Sequence, residues 1–280
     1  MPGRLHRDVT ASGVRLRVTE DGRGPPVVLL HGLFVDHSSW DGVIGALCSD
    51  FRVIAPDLPG FGESEKPPAS RFPYGVDAFA ETVADLYGGL SIGRAAVVGH
   101  ALGGAVALSL AARHPELVAR LVLVDALCYE APRDVQQRLA LVPLVGGLLF
   151  KQLWSFRNFR TYFRERVLLP GASVPSERIE HYYRLFNTPA ARGSALATLR
   201  ATVDTRPVIA QTSRIQTPTL VVWGRGDRVF PATLGQRLAR QIHGAGLELL
   251  DSGHAPHEEK PLELASIIAR FLRAERPRLH

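Results

Sequence analysis

The chain has 280 residues, of which 46% are hydrophobic and 21% charged, and its formal net charge at pH 7 is +6. This composition is that of an ordinary globular protein, and the length suits one large domain or a domain with an insertion. The basic residues are scattered rather than gathered into a stripe with aromatic residues between them, so the sequence does not predict a nucleic-acid-binding surface.

Cysteine content and hydropathy exclude two further classes of protein. Cys48 and Cys128 lie far apart in the sequence, so we expect two buried free thiols rather than a disulfide framework or a metal site. Residues 1–20 lack the apolar core of a secretory signal, and the apolar run at 140–150 is too short to span a bilayer. The sequence therefore predicts a cytoplasmic protein without a membrane span.

Two strand patterns open the chain. Residues 14–18 alternate apolar and basic side chains, which predicts an edge strand with one solvated face. Residues 27–30 are all apolar, which is typical of a strand covered on both faces. This second strand ends in His31-Gly32, and a loop at that position can offer a backbone N–H to an anionic intermediate.

A helix, a strand and a second helix follow. Residues 36–47 are predicted to be helical, residues 51–57 to form the next buried strand, and residues 72–90 to contain an amphipathic helix. Gly60 and Gly62 resemble part of a dinucleotide-binding fingerprint. No helix follows them directly and the third glycine is missing, so we interpret them as a structural turn.

The sequence GHALGG at residues 99–104 is the central motif. A β-rich run at 95–98 precedes it and an apolar, alanine-rich helix at 106–112 follows it. Strand, glycine-flanked turn and helix is the context of a nucleophile elbow, G-x-S-x-G, in which the central residue occupies a strained turn. Here the central residue is Ala101, whose methyl group cannot act as a nucleophile.

A long helical stretch separates the next two buried strands, which are predicted at 121–125 and 219–223. A strand, a long helical excursion and a return to the sheet suggest a cap over the strand ends. We therefore expect a core domain of residues 1–126 and 213–280 and a helical cap of residues 127–212, with most cap aromatics in the cap's own core.

Two polar residues follow the last predicted strands. Asp227 lies just beyond the strand at 219–223, where α/β sheets place functional groups, although a loop aspartate next to glycine is also a common turn former. His254 follows the strand at 247–250, and a last helix is predicted at 261–272. The alternation of strands and helices predicts an α/β fold with a parallel sheet and helices on both faces.

The order of elbow, acid and histidine is that of the α/β-hydrolase fold. The chain strongly resembles that superfamily at His31-Gly32 and at residues 57–64, 99–104, 223–227 and 252–254. The resemblance is strongest to the capped group that includes carbon–carbon bond hydrolases of aromatic-ring breakdown, haloperoxidase-like esterases and epoxide hydrolases. It implies a mostly parallel sheet with a helical cap inserted after the strand at 121–125.

The resemblance also implies roles for individual residues. His254 would be the general base and Asp227 would hold its other ring nitrogen. The backbone N–H groups of Leu33 and Leu102 would form the oxyanion hole, with Phe34 as a substitute for Leu33. No metal or cofactor is implied, and the expected partner is a small molecule with a hydrophobic part. The oligomeric state is left open.

Ala101 is the one departure from the family pattern. That position is normally serine, or aspartate in epoxide hydrolases and haloalkane dehalogenases. We favour serine, because no proline follows His31-Gly32 closely and the spelling of the elbow matches the serine members. Two hypotheses remain. The chain is a serine hydrolase for esters or lactones disabled at Ala101, or it is naturally alanine-bearing: a lyase, a cyclase or another cofactor-free enzyme using His254 as base, or a ligand-binding protein.

Overall fold

A computed structural model describes residues 4–130, 142, 150 and 154–274. Its strands form one sheet in the order β1-β2-β4-β3-β5-β6-β7-β8. The bounds are β1 Leu5–Ala11, β2 Val14–Asp21, β3 Pro26–Leu30, β4 Arg52–Pro56, β5 Ala95–His100, β6 Val118–Val124, β7 Thr219–Gly224 and β8 Gly246–Leu250. The pairs of β2 with β1 and β4 are antiparallel, and the other pairs are parallel. The predicted α/β fold with a mostly parallel sheet is thus confirmed.

The described helices alternate with the strands. They are α1 Asp41–Leu47, α2 Val76–Gly89, α3 Leu102–Arg113, α4 Phe156–Tyr162, α5 Ser176–Phe186, α6 Pro189–Ala201, α7 Arg206–Ile209, α8 Ala232–Gln241, α9 Pro256–Glu259 and α10 Pro261–Arg273. A 3₁₀ turn, His37–Trp40, precedes α1, and a π-helical turn, Phe163–Val167, follows α4.

The two faces of the sheet are covered by different helices. Along β3, Val28 and Leu30 pack with apolar residues of α2 and α3, whereas Val27 and Leu29 pack with those of α1 and α10. This division follows from the period of two residues along a strand, which sends successive side chains to opposite faces. An all-apolar strand is therefore buried on both sides, as the sequence predicts.

One prediction about the sheet edge is wrong. Residues 14–18 do not form an edge strand, because β2 lies between β1 and β4. The edge is β1, which joins β2 through a tight hairpin with positive φ at both Ser12 and Gly13. The side chains of β1 are mostly polar and at least partly exposed, so its sequence lacks the apolar run that marks a buried strand.

The connection between β6 and β7 is largely helical where it is described. Helices α4 to α7 lie in it, and the aromatic rings of Trp154, Phe159 and Phe186 pack on Phe34, which belongs to the loop after β3. These contacts place the connection over the carboxyl ends of the strands. Most of the apolar stretch at 139–154 lies outside the described residues.

Two smaller predictions have different outcomes. Cys128 is a buried free thiol as expected, but Cys48 is only half-buried, so the expectation of two buried thiols is wrong for Cys48. Cys48 lies directly after α1, on a short helix that covers the sheet from outside. Within the described part of the chain, no helix is long and apolar enough to cross a membrane.

Candidate active site

Ala101 occupies a sharp turn between β5 and α3. Its backbone has φ 48° and ψ −111°, a combination that lies outside the regions favoured by residues with a Cβ. Such a conformation costs on the order of 1–3 kcal/mol and persists only where its surroundings enforce it. Here the Ala101 N–H donates to the carbonyl of Val124 at 3.0 Å, and the Ala101 carbonyl accepts from the N–H groups of Gly104 and Leu127.

The glycines on either side of the turn are required by close backbone packing. A Cβ on Gly99 would lie 2.1 Å from the carbonyl oxygen of Gly103, and a Cβ on Gly103 would lie 2.2 Å from that of Leu30. The turn therefore brings α3 directly against β5 and β3. This contact fixes the position of Ala101 at the carboxyl edge of the sheet.

His254 and Asp227 form a buried hydrogen-bonded pair beside Ala101. The Nδ1–H of His254 donates to Oδ2 of Asp227 at 2.8 Å. Oδ1 of Asp227 accepts from the backbone N–H groups of Val229 and Phe230 at 2.7 and 2.9 Å. With the proton on Nδ1, Nε2 of His254 is left as an acceptor, and His254 lines the same cavity as Ala101.

Asp125 is a third buried acid at this point. It directly follows β6, and its Oδ1 accepts from the N–H of Gly224 at 2.9 Å. Burial, the negative charge of Asp227 and a hydrogen bond to Asp227 raise the pKa of Asp125 well above its usual value. Burial also tends to raise the pKa of Asp227, but the attraction of His254 and hydrogen bonds from His254, Asp125 and Phe230 lower it. Asp125 is therefore the neutral acid and Asp227 the carboxylate.

The loop that contains His254 is fixed from three sides. The carboxylate of Glu259 accepts from the N–H of Gly253, and the N–H of His254 donates to the carbonyl of Val167 at 2.7 Å. Nε2–H of His100 donates to the carbonyl of His254 at 2.7 Å. Burial and the neighbouring histidines lower the pKa of His100 well below its usual value, so this ring stays neutral. The imidazole of His254 is thus held in place.

The His-Gly loop lies across the cavity from His254. The Nδ1–H of His31 donates to the carbonyl of Gly32 at 2.7 Å, and Nε2 accepts from the N–H of Leu58 at 2.9 Å. Leu33 and Leu102 both line the cavity together with Ala101. Among the described residues, the backbone N–H groups of Leu33 and Leu102 have no hydrogen-bond acceptor. For Leu102 this is expected, because it is the first residue of α3 and the first N–H groups of a helix have no partner within the helix.

The cavity has two parts with different chemistry. We call Ala101, His254, Asp227, Leu33 and Leu102 the floor of the cavity. We call the side chains above them, contributed by the chain between β6 and β7, the roof. The described roof is apolar and aromatic apart from Glu130 and a few hydroxyl groups, and includes Tyr162, Phe163, Val167, Ile179, Tyr182 and Leu199. Arg157, Arg160 and Arg164 are not among the residues that line the cavity.

A polar pair lies in the otherwise apolar wall. The hydroxyl of Tyr182, on α5, donates to Oε1 of Glu258, on α9, and both residues line the cavity. Burial raises the pKa of Glu258 to about 7, although the hydrogen bond from Tyr182 and the charge of Arg178 act in the opposite direction. Burial and the charge of Glu258 raise the pKa of Tyr182 well above its usual value, so its phenol remains a donor.

Two clusters in the described chain have donor atoms close enough to surround a cation: Asp125, Asp227 and His254, and Asp36, His37 and Asp57. Both consist of groups already bonded to one another or to backbone N–H groups. In the second cluster, Asp57 accepts from His37 and from the N–H of Glu63, and Asp36 accepts from Ser38 and His181. A metal ion would have to displace these donors, so we assign no metal site to either cluster.

Comparison with known proteins agrees with this arrangement. The family model of the alpha/beta hydrolase fold matches residues 25–261, so the chain belongs to the α/β-hydrolase fold family. A 2-hydroxymuconate semialdehyde hydrolase from Pseudomonas sp. (strain CF600) is 30% identical over 96% of this chain and 94% of its own length. The magnesium-chelatase 30 kDa subunit of Rhodobacter capsulatus is 32% identical over 89% of this chain and 87% of its own length.

A solved structure is also similar over nearly the whole chain. It is a serine-to-alanine mutant of the meta-cleavage product hydrolase (CumD) from Pseudomonas fluorescens IP01, complexed with acetates, with a TM-score of 0.80 and 25% identity. The match covers 95% of this chain and 97% of that one. The similarities support a hydrolase-type function by descent.

The structure brings together all the residues that the sequence analysis singled out, and adds three. Ala101, His254, Leu33, Leu102 and Phe34 line one cavity, and Asp227 is hydrogen-bonded to His254 without lining the cavity itself. Asp125 was missed as a site residue although it ends a buried strand, which is the same signal that marks Asp227. Tyr182 and Glu258 were missed because nothing in the sequence indicates which side chains of a helix face a cavity.

Proposed function

We propose that the chain is a hydrolase of the Ser-His-Asp type whose nucleophile position holds alanine. The intact site acts on an ester, a lactone or a similar carbonyl compound with a hydrophobic part. The observation that supports this most strongly is the strained backbone of Ala101 next to the 2.8 Å hydrogen bond between His254 and Asp227. An alanine gains nothing from that conformation, whereas a serine hydroxyl would be presented by it to the base.

The proposed chemistry assigns one role to each floor residue. With serine at position 101, Nε2 of His254 takes the hydroxyl proton, and the oxygen attacks the substrate carbonyl. The N–H groups of Leu33 and Leu102 stabilise the oxyanion, and Asp227 orients His254 and stabilises its positive charge. The leaving group departs with the proton from His254. Water, deprotonated by His254, then hydrolyses the acyl-enzyme.

The roof residues define the substrate chamber in this proposal. We propose that residues 127–212 are a cap on a core of residues 1–126 and 213–280. The apolar lining from Phe163, Ile179 and Leu199 supports a substrate with a hydrophobic acyl or aryl part. One relative, the 2-hydroxymuconate semialdehyde hydrolase, is named for a hydrolysis and supports this assignment.

The test is to restore the missing hydroxyl. We expect Ala101→Ser to hydrolyse p-nitrophenyl esters about 10⁶-fold faster than the unchanged chain, because loss of a triad nucleophile costs about that factor. The restored serine should also bind a fluorophosphonate probe covalently. In the matched control, Ala101→Ser combined with His254→Ala, both the rate gain and the labelling should be lost.

The two hypotheses give different results in this test. No gain in ester hydrolysis and no labelling in folded Ala101→Ser would contradict the proposed function. That result would favour a naturally alanine-bearing member, and the similarity to a magnesium-chelatase subunit is the observation behind this second candidate. Such a protein would use His254 as a base in non-hydrolytic chemistry or only bind its ligand, and His254→Ala in the unchanged chain would then abolish its activity.

A further inference from the structure

The carboxyl groups that line the cavity are not matched by lysine or arginine side chains among the described lining residues. Glu130 and Glu258 are among the described lining residues, together with His100, His254 and His257, whereas no lysine or arginine of the described chain lines the cavity. Among the described lining residues, a carboxylate on the substrate would therefore meet no lysine or arginine. A group that donates hydrogen bonds, or one with positive charge, is better matched to this lining.

One carboxylate oxygen of Glu258 accepts a hydrogen bond from a described residue, and the other does not. Oε1 accepts the hydrogen bond from the Tyr182 hydroxyl. The charged group nearest to Oε2 is Nε of Arg178 at 3.8 Å, beyond hydrogen-bond distance, and no other described donor is bonded to Oε2. The side chain is only 11% exposed, so little solvent compensates for that free acceptor.

Arg178 lies 3.8 Å from Oε2 of Glu258 and its charge lowers the pKa of Glu258, but the hydrogen bonds of Arg178 go to other residues. Its Nη1 donates to the carbonyl of Ser38 and to Oδ2 of Asp41, both at 2.9 Å. These bonds fasten α5 to the 3₁₀ turn before α1 and to the first residue of α1, and Arg178 is not among the residues that line the cavity. The acceptor of Glu258 thus remains available to a ligand.

Resting on the proposed hydrolase function, we propose that Glu258 and Tyr182 determine substrate specificity. They select a carbonyl substrate whose hydrophobic part ends in a hydrogen-bond donor, a protonated amine or an alcohol, and they reject a carboxylate at that place. The donor bonds to Oε2 of Glu258, and Tyr182 holds the carboxyl group in position. Neither residue takes part in the proposed bond-making steps at position 101.

The unchanged chain is suited to the test, because alanine at position 101 allows an ester to bind without being hydrolysed. The probes are four methyl esters of similar length: methyl 6-aminohexanoate, methyl 6-hydroxyhexanoate, methyl heptanoate and monomethyl adipate. Their far ends are an ammonium, an alcohol, a methyl and a carboxylate. Dissociation constants are measured at pH 8 by saturation-transfer NMR titration, with the shorter and longer homologues of each ester in parallel.

We expect the amino or hydroxy ester to bind at least tenfold more tightly than methyl heptanoate, and the adipate half-ester to bind most weakly. In Glu258→Gln, the preference for the amino ester should fall at least tenfold while the affinity for methyl heptanoate changes less than twofold. Tyr182→Phe should reduce the preference severalfold. Glu180→Gln, the matched control at an exposed glutamate of α5 that does not line the cavity, should retain it.

Three results would overturn the inference: equal affinities for all four esters, an unchanged preference in folded Glu258→Gln, or tightest binding of the half-ester. Loss of affinity for every ester in Glu258→Gln would also overturn it, since that pattern indicates a merely structural residue. None of these measurements requires a serine. Failure of the specificity proposal is therefore distinguishable from failure of Ala101→Ser to become an esterase.

Discussion

The floor and the roof of the cavity are built by different forces. On the floor, each carboxylate oxygen of Asp227 and the backbone N–H and C=O of His254 have hydrogen-bond partners at 2.7–2.9 Å. The roof is held mainly by aromatic packing, with rings 4.8–6.2 Å apart around Phe159. Hydrogen bonds fix directions, whereas apolar contacts fix only volumes. In the proposed function, the floor therefore determines the kind of reaction and the roof the kind of substrate.

The largest effect should come from the floor. In the Ala101→Ser background, Asp227→Asn should lower kcat about 10⁴-fold with little change in KM, because the asparagine favours the wrong tautomer of His254. Ester hydrolysis measures the rate, and the low-field Hδ1 proton resonance of His254 reports the hydrogen bond even in the unchanged chain. Asp251→Asn, at an exposed aspartate in the same region, should leave both unchanged. A similar kcat in the two variants would show that Asp227 does not orient the base.

The roof should be sensitive to lost volume instead. Phe159→Ala should lower the free energy of unfolding by about 3–5 kcal/mol in urea titrations, because the ring is fully buried among other aromatic rings. Phe156→Ala, on the same helix but with a 37% exposed side chain, should cost less than about 1 kcal/mol. The Hδ1 resonance of His254 should persist in both. Its loss in Phe159→Ala would show that the floor and the roof do not behave as separate regions.

Glu258 lies where the two regions meet, and its charge should make stability depend on pH. Its pKa is raised from 4.5 to about 7 in the folded chain, mainly by burial. Above pH 7 the carboxylate is charged in both states, so the folded chain loses about 3–4 kcal/mol relative to acid pH. Arg178 and Tyr182 oppose this loss, and Asp36 and Asp41 increase it.

The expected observation is a change in relative stability with pH. Between pH 5 and pH 8, Glu258→Gln should gain about 2–3 kcal/mol of unfolding free energy relative to the unchanged chain. Glu180→Gln, at an exposed glutamate of α5, should show no such trend. A flat difference for Glu258→Gln would show that the carboxylate is already charged at pH 5.

The smallest effect tests the close packing beneath the elbow. Gly103→Ala places a methyl group 2.2 Å from the carbonyl oxygen of Leu30 and should cost about 1–3 kcal/mol of unfolding free energy. Gly45→Ala, inside α1 where no atom lies within 4 Å of the new methyl, should stabilise the chain by up to about 1 kcal/mol. Equal effects in thermal or urea unfolding would contradict the tight contact between α3 and β3.

This division also explains what could be predicted from the sequence. The parallel strands are short apolar runs, which the sequence shows directly. Asp227 and His254 lie in the turns that follow two of these runs, so their positions could also be predicted. The edge strand β1 was missed because its polar side chains give little apolar contrast. Tyr182 and Glu258 come from elements 76 residues apart in sequence, and only tertiary packing brings them together. Asp125 was missed because its neighbour, Asp227, is distant in sequence.

The turn at Ala101 bears on how many mutations would be needed to place a nucleophile in the site. Alanine and serine codons can differ by a single base, so the two residues are mutational neighbours. A turn that had relaxed would need several coordinated replacements before a hydroxyl could again face the base. The φ and ψ of Ala101 are enforced by its hydrogen bond to the carbonyl of Val124 and by those from the N–H groups of Gly104 and Leu127, so a single point mutation suffices in the proposed scheme. The scaffold that a serine nucleophile would need is therefore present around Ala101, one base change away from the proposed activity.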